Sequence, residues 1–515
     1  GNNVTQNENT TKNDTDTIIT NREEGASSHT VTIDAKDKDD KVEVTLKDAN
    51  IDTSKQSKAA VSVTGSGDTT IELDGDNELQ GGDRHAGLEH NQTVDSEGNV
   101  TSGKLTIQDD NDNAGSLTAT GGYFGAGIGG GSAKAGQVTI TGGTITAISG
   151  DGAGIGGGQG NMGSNAGNAD IEISGGTIEA TGGYTSAGIG GGYYGDATIK
   201  ITGDAVIKNA TGGTFGAGIG GGGGGNGDVT ISGNAKIENA QGGYAGSGIG
   251  GGYGASGTVT IKDDSTVTAT GGEAGAGIGG GVGGLADVTI EGNATVNAIG
   301  GVGSAGIGGG YDAENDEDDG NGNQISIKSN ESGAPTVNAT GGESSIDKKT
   351  GEKIPGGAGI GSGAGDAKAN ITLEGKVTIV AKAGEGNAAI GDMNGEQVFT
   401  GLDGSITRYD SEGNDTTLPT DPGYPVPADT SSSGGGSAGA SVQESVFPGL
   451  VVTDKDGQRI SYTSIRGNNV LSLRVGRFTA SLHASLSTLR QLRAEGIDTI
   501  TFQTILCSTT LSVDE

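Results

Sequence analysis

The chain has 515 residues, 108 of them Gly, with 30% hydrophobic residues, no Trp and a formal net charge of −35. So few apolar and aromatic side chains exclude a large globular core, and Gly without a strict three-residue period excludes a collagen triple helix. A chain this acidic will not grip phosphate backbones and is repelled by anionic membrane surfaces, so nucleic acid is excluded as a partner and divalent cations are the natural counter-ions.

Residues 1–28 are polar, rich in Asn, Thr and Asp, and read as a disordered tail. The chain opens Gly1-Asn2-Asn3-Val4-Thr5 without a signal-peptide pattern and reads as a processed or trimmed piece of a longer product. No apolar run of ~18 residues occurs anywhere, so no membrane insertion is expected. Cys507 is alone, which forbids an internal disulfide, and no Cys/His spacing suggests zinc.

Residues 29–400 carry a repeat. The segment Ala126-Gly127-Ile128-Gly129-Gly130-Gly131 returns with its Ile at Ile155, Ile189, Ile219, Ile249, Ile278, Ile307, Ile360 and Ile390. The spacings are 27, 34, 30, 30, 29, 29, 53 and 30, and the 53 holds an insertion, Tyr311 to Asn323 plus Glu343 to Pro355. Weaker copies precede the array at Ala86-Gly87-Leu88 and Ala59-Ala60-Val61.

Two further patches ride at the same period. One is Val138-Thr139-Ile140, repeated for instance as Val229-Thr230-Ile231 and Val259-Thr260-Ile261. The other is Leu117-Thr118-Ala119-Thr120-Gly121-Gly122, repeated as Val267-Thr268-Ala269-Thr270-Gly271-Gly272. Each repeat thus holds three short pieces in which apolar and polar residues alternate, which is the period of a strand. Three strands per coil of ~30 residues, wound in register, make an all-β parallel β-helix, a solenoid of about ten or eleven coils. One extra residue at Val206-Ile207-Lys208-Asn209-Ala210, and again at Lys236 to Ala240, predicts a bulge.

The Ala-Gly-Ile-Gly-Gly-Gly motif and its period resemble the Gly-rich right-handed parallel β-helix surface proteins of Gram-positive gut bacteria. These are the carbohydrate-binding-domain-containing type with a pectin-lyase-like fold, and the resemblance covers roughly Thr30 to Thr400. It implies a secreted or cell-surface bacterial module, with a polysaccharide or glycan of cell wall, plant fibre or host mucus as partner. The motif is specific for architecture and weakly informative about function.

Some parallel β-helices are polysaccharide lyases or hydrolases, which need Arg or His beside acidic groups. From Asn91 to Thr407 there is no Arg and no His. The resemblance to those enzymes therefore stops at the fold, and the chain reads as no enzyme. Arg84, His85 and His90 sit close in one early coil and read as a polar surface loop.

Seven Tyr flank the Gly-rich strand. Tyr123, Tyr184 and Tyr244 follow the Gly-Gly leading into it, and Tyr193, Tyr194, Tyr253 and Tyr311 follow the Gly-Gly-Gly leaving it. The expectation is a shallow, smooth Gly strip edged by aromatics that stack on sugar rings. The alternative is that these Tyr cover their own turns. The acidic run holding Asp312, Glu314, Asp316 and Asp318 is a candidate for Ca²⁺, or a solvated loop; it matches no EF-hand, and no cofactor is required. Outward Thr columns (Thr139, Thr230, Thr260, Thr289, Thr372) could present an ice-like array, although Thr is also a good exposed strand residue.

Residues 401–445 read as a linker, rich in Pro from Leu418 to Ser441. Residues 446–515, which hold six of the nine Arg, read as a small, truncated α+β domain. Its elements are a hairpin over Val451 to Ser464, a helix over Ala484 to Ala494 and a strand over Asp498 to Leu506. The combined expectation is a non-catalytic extracellular polysaccharide-binding surface module. A structural stalk or adhesin displaying other domains is the alternative, and a polysaccharide lyase or hydrolase the third reading.

Overall fold

The computed structural model describes residues 4–7, 17–21, 25–160, 167–315, 322–347, 351–365, 367–424, 450–453, 463–466, 470–475, 480–494, 496–503 and 508–513. Two compact units divide the chain, Gly1–Gly423 and Tyr424–Glu515.

The first unit is a parallel β-solenoid. Alternation of apolar and polar residues turns every second side chain inward, and each inward residue lies on its copy in the next coil. Ile128 pairs with Ile155, which pairs with Ile189, and the column continues unbroken to Ile390. The weaker copies fall in the same column, Val61 beside Leu88 and Leu88 beside Ile128. These Ile and Leu side chains are fully buried, and truncating any one to Ala would cost about 2–5 kcal/mol.

This column belongs to a 14-stranded sheet. The Val138 and Leu117 patches form the other two faces, joined into one 23-stranded sheet by the long strand Asp68–Gln80. Both predicted bulges are present: Ile178 faces Ile207 while the next residue, Glu179, faces Asn209, and the register shifts again between Ile237 and Ala240. Polar side chains tie successive turns as well. The backbone N–H groups of Asp196, Asn226 and Ser256 donate to the side chains of Asn168, Asp196 and Asn226 one coil back, at 2.7–3.0 Å.

The solenoid is longer than expected, about 14 turns. Val4–Asn7 pairs in parallel with Val31–Asp34, and Thr17–Thr20 pairs with Val44–Lys47, where a disordered tail over 1–28 was expected. Short polar strands there borrow their order from the coil they extend, which composition alone does not register. The linker expectation for 401–445 also changes at its start. Asp403–Tyr409 adds a parallel strand to Lys376–Lys382, and residues 425–445 lie outside the described residues. Within the 53-residue spacing, Ser345–Ile346 and Lys353–Ile354 pair antiparallel, so the second insertion is a small hairpin.

The C-terminal end of the Ile column is closed. Gly395–Glu396 folds back antiparallel on Gly391–Asp392, and the Arg408 side chain lies fully buried beneath it. Such a plug denies the last strand to a second chain.

The second unit packs Leu450, Leu471, Leu473, Leu492, Ile497 and Ile500 into its own core. It is α+β: the helix Leu486–Ala494 is the only one among the described residues, and Val470–Arg474 pairs in parallel with Thr499–Gln503. The hairpin expected over Val451 to Ser464 does not close. Leu450–Thr453 pairs with Ser481–Ala484, and Thr463–Arg466 with Val470–Arg474. Residues 454–462, where the hairpin's turn was expected, lie outside the described residues, and pairing follows apolar register, here Val452 against Leu482.

Candidate functional site

Each coil runs from the third face through a Gly-Gly turn, across the two-residue Ile-Gly strand, and out through a Gly-Gly-Gly turn. The strand's Gly is obligatory. Gly220 has φ of +140°, and a Cβ there would stand 1.9 Å from the Gly250 carbonyl oxygen of the next coil. The coils approach so closely on this face that only a bare backbone fits.

This geometry corrects the smooth strip. Residues 126–131 are buried, as are their counterparts in later coils. With a two-residue strand between them, the two turns fold together instead of standing apart. Tyr253 N–H donates to the Phe215 carbonyl at 2.8 Å, Gly223 N–H to that of Thr185 at 2.7 Å, and Val282 N–H to that of Ala245 at 2.9 Å. Tyr184 and Tyr253, expected on opposite edges of an open strip, are therefore bridged by the ring of Phe215 between them.

Four of the seven Tyr are exposed: Tyr123 at 61%, Tyr184 at 58%, Tyr244 at 55% and Tyr253 at 50%. Tyr184 and Tyr253 flank Phe215, with ring centroids 5.4 and 5.5 Å from it, both edge-to-face. Tyr123 packs edge-on against Phe124 at 4.6 Å. Tyr193 and Tyr194 form a half-buried pair at 4.2 Å, and the hydrogen bond to Tyr194 holds the Tyr193 phenol above its ordinary pKa. Tyr311 is half-buried and separate from these groups; burial, then the neighbouring Asp312, raises its pKa. The seven thus divide into a line (Tyr184, Phe215, Tyr253), a pair (Tyr193, Tyr194) and three single positions.

Phe215 and Phe124 were not among the expected aromatics. The signal was in the repeat: Gly212-Gly213-Thr214-Phe215-Gly216 aligns with Gly121-Gly122-Tyr123-Phe124-Gly125, so the second turn position also carries a ring. An exposed ring on a hydrogen-bonded turn offers an apolar face, and Tyr adds a hydroxyl for a directional bond.

The acidic runs do local work. One Glu72 carboxylate oxygen accepts from the Asp110 and Asn111 backbone N–H groups at 3.1 and 3.2 Å, and the Asp109 side chain accepts from Gly115 N–H at 3.1 Å. Of the calcium candidates, Asp312 and Glu314 are exposed, and Asp316 and Asp318 lie outside the described residues. Among the described residues no three His, Cys, Asp or Glu side chains converge as a metal site. Thr230, Thr260 and Thr289 stand in register, followed by Ser326 and Thr372. Towards the N-terminus Glu172 and Lys200 interrupt that column and face each other at 3.7 Å.

The early-coil trio separates. His90 is buried, its Nδ1 3.2 Å from the Val63 carbonyl and its Nε2 2.8 Å from that of Gly103, and burial pushes its pKa down. His85 instead meets Glu89 at 2.7 Å, and that hydrogen bond raises its pKa. The Arg84 guanidinium lies over the Phe124 ring, 5.4 Å from its centroid.

No helix among the described residues is long and apolar enough to cross a membrane. A family model described as Beta helix repeat matches residues 113–132, 138–159, 171–193, 259–282 and 288–311. No curated protein and no solved structure matches the chain. The matched segments fall on coils of the solenoid on both sides of an unmatched stretch, and in them the chain is similar to the beta-helix repeat.

Proposed function

We propose that the chain is a non-catalytic, extracellular polysaccharide-binding module of a bacterial surface, gripping its glycan through the line Tyr184, Phe215 and Tyr253. The observation that carries this reading is the line itself. Its rings sit on turns of neighbouring coils, stepped by about 4.8 Å, the inter-strand spacing. That step is close to the length of a sugar ring in an extended chain. The turns are pinned by backbone hydrogen bonds to each other, so little side-chain freedom is lost on binding. Tyr123 and Tyr244 extend the exposed aromatic surface along the same side of the coils. The glycans in question are those of cell wall, plant fibre or host mucus, and stacking on them needs no cofactor.

The absence of Arg and His between Asn91 and Thr407 supports a role without catalysis, because the Arg and His that lyase and hydrolase chemistries set beside acidic groups are missing along those coils. One observation favours the stalk as second reading: backbone register is continuous from Val31 to Ile390, as a spacer would need.

Affinity electrophoresis through gels carrying individual polysaccharides tests the proposal. The parent should be retarded by at least one polymer, and the Tyr184→Ala/Tyr253→Ala variant should run as in a plain gel while keeping the parent's circular dichroism. Equal retardation of parent and variant on every polymer would overturn the assignment of the line. Retardation of neither on any polymer would favour the stalk.

A further inference from the structure

The turn at Arg84, the strand end at Glu89 to Asn91 and the turn at Ser132 to Lys134 enclose a depression of about 430 Å³ on the wall of the early coils. That volume lies within the ~300–1,000 Å³ typical of small-ligand sites. We infer that this depression binds the carboxylate of an acidic saccharide. The inference rests on the polysaccharide-binding reading and names the class of sugar.

The site is built from a buried acid outward. Glu89 is almost wholly buried, and both its oxygens are taken. Oε2 accepts from His85 Nδ1 at 2.7 Å and from Ala86 N–H at 3.2 Å, while Oε1 accepts from the Asn91 amide at 3.0 Å. Asn91 in turn accepts from Gly131 N–H at 2.9 Å, which ties the two walls of the depression together. Glu89 is thereby occupied in orienting His85 and is not left to repel an anion.

With Nδ1 held by Glu89, His85 keeps Nε2 without a protein partner among the described residues, and the raised pKa favours a proton there. Arg84 meets an acid only loosely, its Nε 3.8 Å from Asp83, and both side chains are mostly exposed. Lys134 is exposed and forms no ion pair among the described residues. The remaining acid nearby, Asp151, is engaged by the Gln159 amide at 2.8 Å. In a chain of net charge −35, one depression therefore presents three cationic donors.

One further feature points to a ligand. The Phe124 ring beneath the Arg84 guanidinium supplies an apolar surface for a sugar face, next to a planar fork that matches a carboxylate.

The test titrates the full chain by calorimetry with a glucuronate-containing tetrasaccharide and with its methyl ester, which has the same rings and no charge. The acid should bind about tenfold tighter than the ester, with a gap that shrinks as salt rises. Arg84→Gln/Lys134→Gln should abolish that preference, and Tyr184→Ala/Tyr253→Ala should leave it in place. Equal affinities, or a preference that survives the Arg84→Gln/Lys134→Gln change, would overturn the inference. Equal affinities that both fall in the Tyr variant would overturn it while sparing the aromatic line. A preference untouched in the Tyr variant, with no loss of ester binding there, would support the depression and overturn the line. Binding of neither tetrasaccharide would overturn the inference outright.

Discussion

Arg408 and Asp421 are joined at the C-terminal end of the solenoid by two parallel hydrogen bonds, Nε to Oδ2 at 2.7 Å and Nη2 to Oδ1 at 2.9 Å, with both side chains fully buried. Arg408 also donates to Glu396 and to the Ile390 and Gln397 carbonyls, and its guanidinium faces the Phe399 ring. One cation thus satisfies two acids and two backbone carbonyls where the coils stop. Arg408→Met should cost about 3–5 kcal/mol, because Asp421 is left buried without its counter-charge, keeping only the Leu418 N–H at 2.9 Å. Arg408→Met/Asp421→Leu should lose less than the single change. Hydrogen exchange of amides 390–409 reads the effect where it arises, since a solenoid opens locally from its ends.

Gly220 and Gly254 give a matched pair of backbone tests. Gly220→Ala forces a Cβ to 1.9 Å from the Gly250 carbonyl oxygen at φ +140°, and should destabilise the array by about 2–4 kcal/mol. At Gly254, φ is +70° and nothing lies within 4 Å of an added Cβ, so Gly254→Ala should cost only ~1–2 kcal/mol. Urea denaturation of the two variants checks the order, and a larger loss at Gly254 would contradict the role given to the Ile-Gly strand.

The coil was legible because its core is one-dimensional. Stacked Ile side chains must recur at coil spacing, so counting from Ile128 to Ile390 gave register, insertion and bulges together. The exposure of the Gly strand was not legible. Side-chain alternation reports burial only where there are side chains, and residues 126–131 offer one Ile among Gly and Ala. Whether the turns stand apart or fold together depends on backbone bonds such as Tyr253 N–H to Phe215, which leave no mark on composition. Arg408 and Asp421 were hidden for a different reason. Both lie in the stretch read as a linker, Asp421 among Pro residues, and only the closing strand brings them together.

The two coil histidines should titrate in opposite directions. The hydrogen bond to Glu89 raises the His85 pKa, so the stability it contributes is complete below the ordinary imidazole value, about 6.5, and is lost as pH rises through the raised value. Burial lowers the His90 pKa, so its contribution is present above about 6.5 and is lost as pH falls through the lowered value. Imidazole NMR titration should place His85 above and His90 below that reference. Glu89→Gln should bring His85 back towards the ordinary value and leave His90 where it was. A His85 midpoint unmoved by Glu89→Gln would refute the pairing.

The aromatic line makes separable demands on stability and on binding. Tyr184 and Tyr253 are more than half or half exposed, and each contributes one edge-to-face contact with Phe215, worth about 0.5–1.5 kcal/mol. Replacing either by Ala should therefore shift the unfolding midpoint slightly. Phe215→Ala removes both contacts at once and should cost roughly the two together, plus the apolar area of its half-buried ring. If the line stacks on sugar, the order reverses for affinity. The exposed Tyr rings present the faces a glycan can reach, so Tyr184→Ala and Tyr253→Ala should each weaken polysaccharide retention more than they weaken the fold. Parallel denaturation and gel-retardation series on the three single variants measure both orders. Retention that simply tracked stability across the series would mean the rings serve only to hold their own turns.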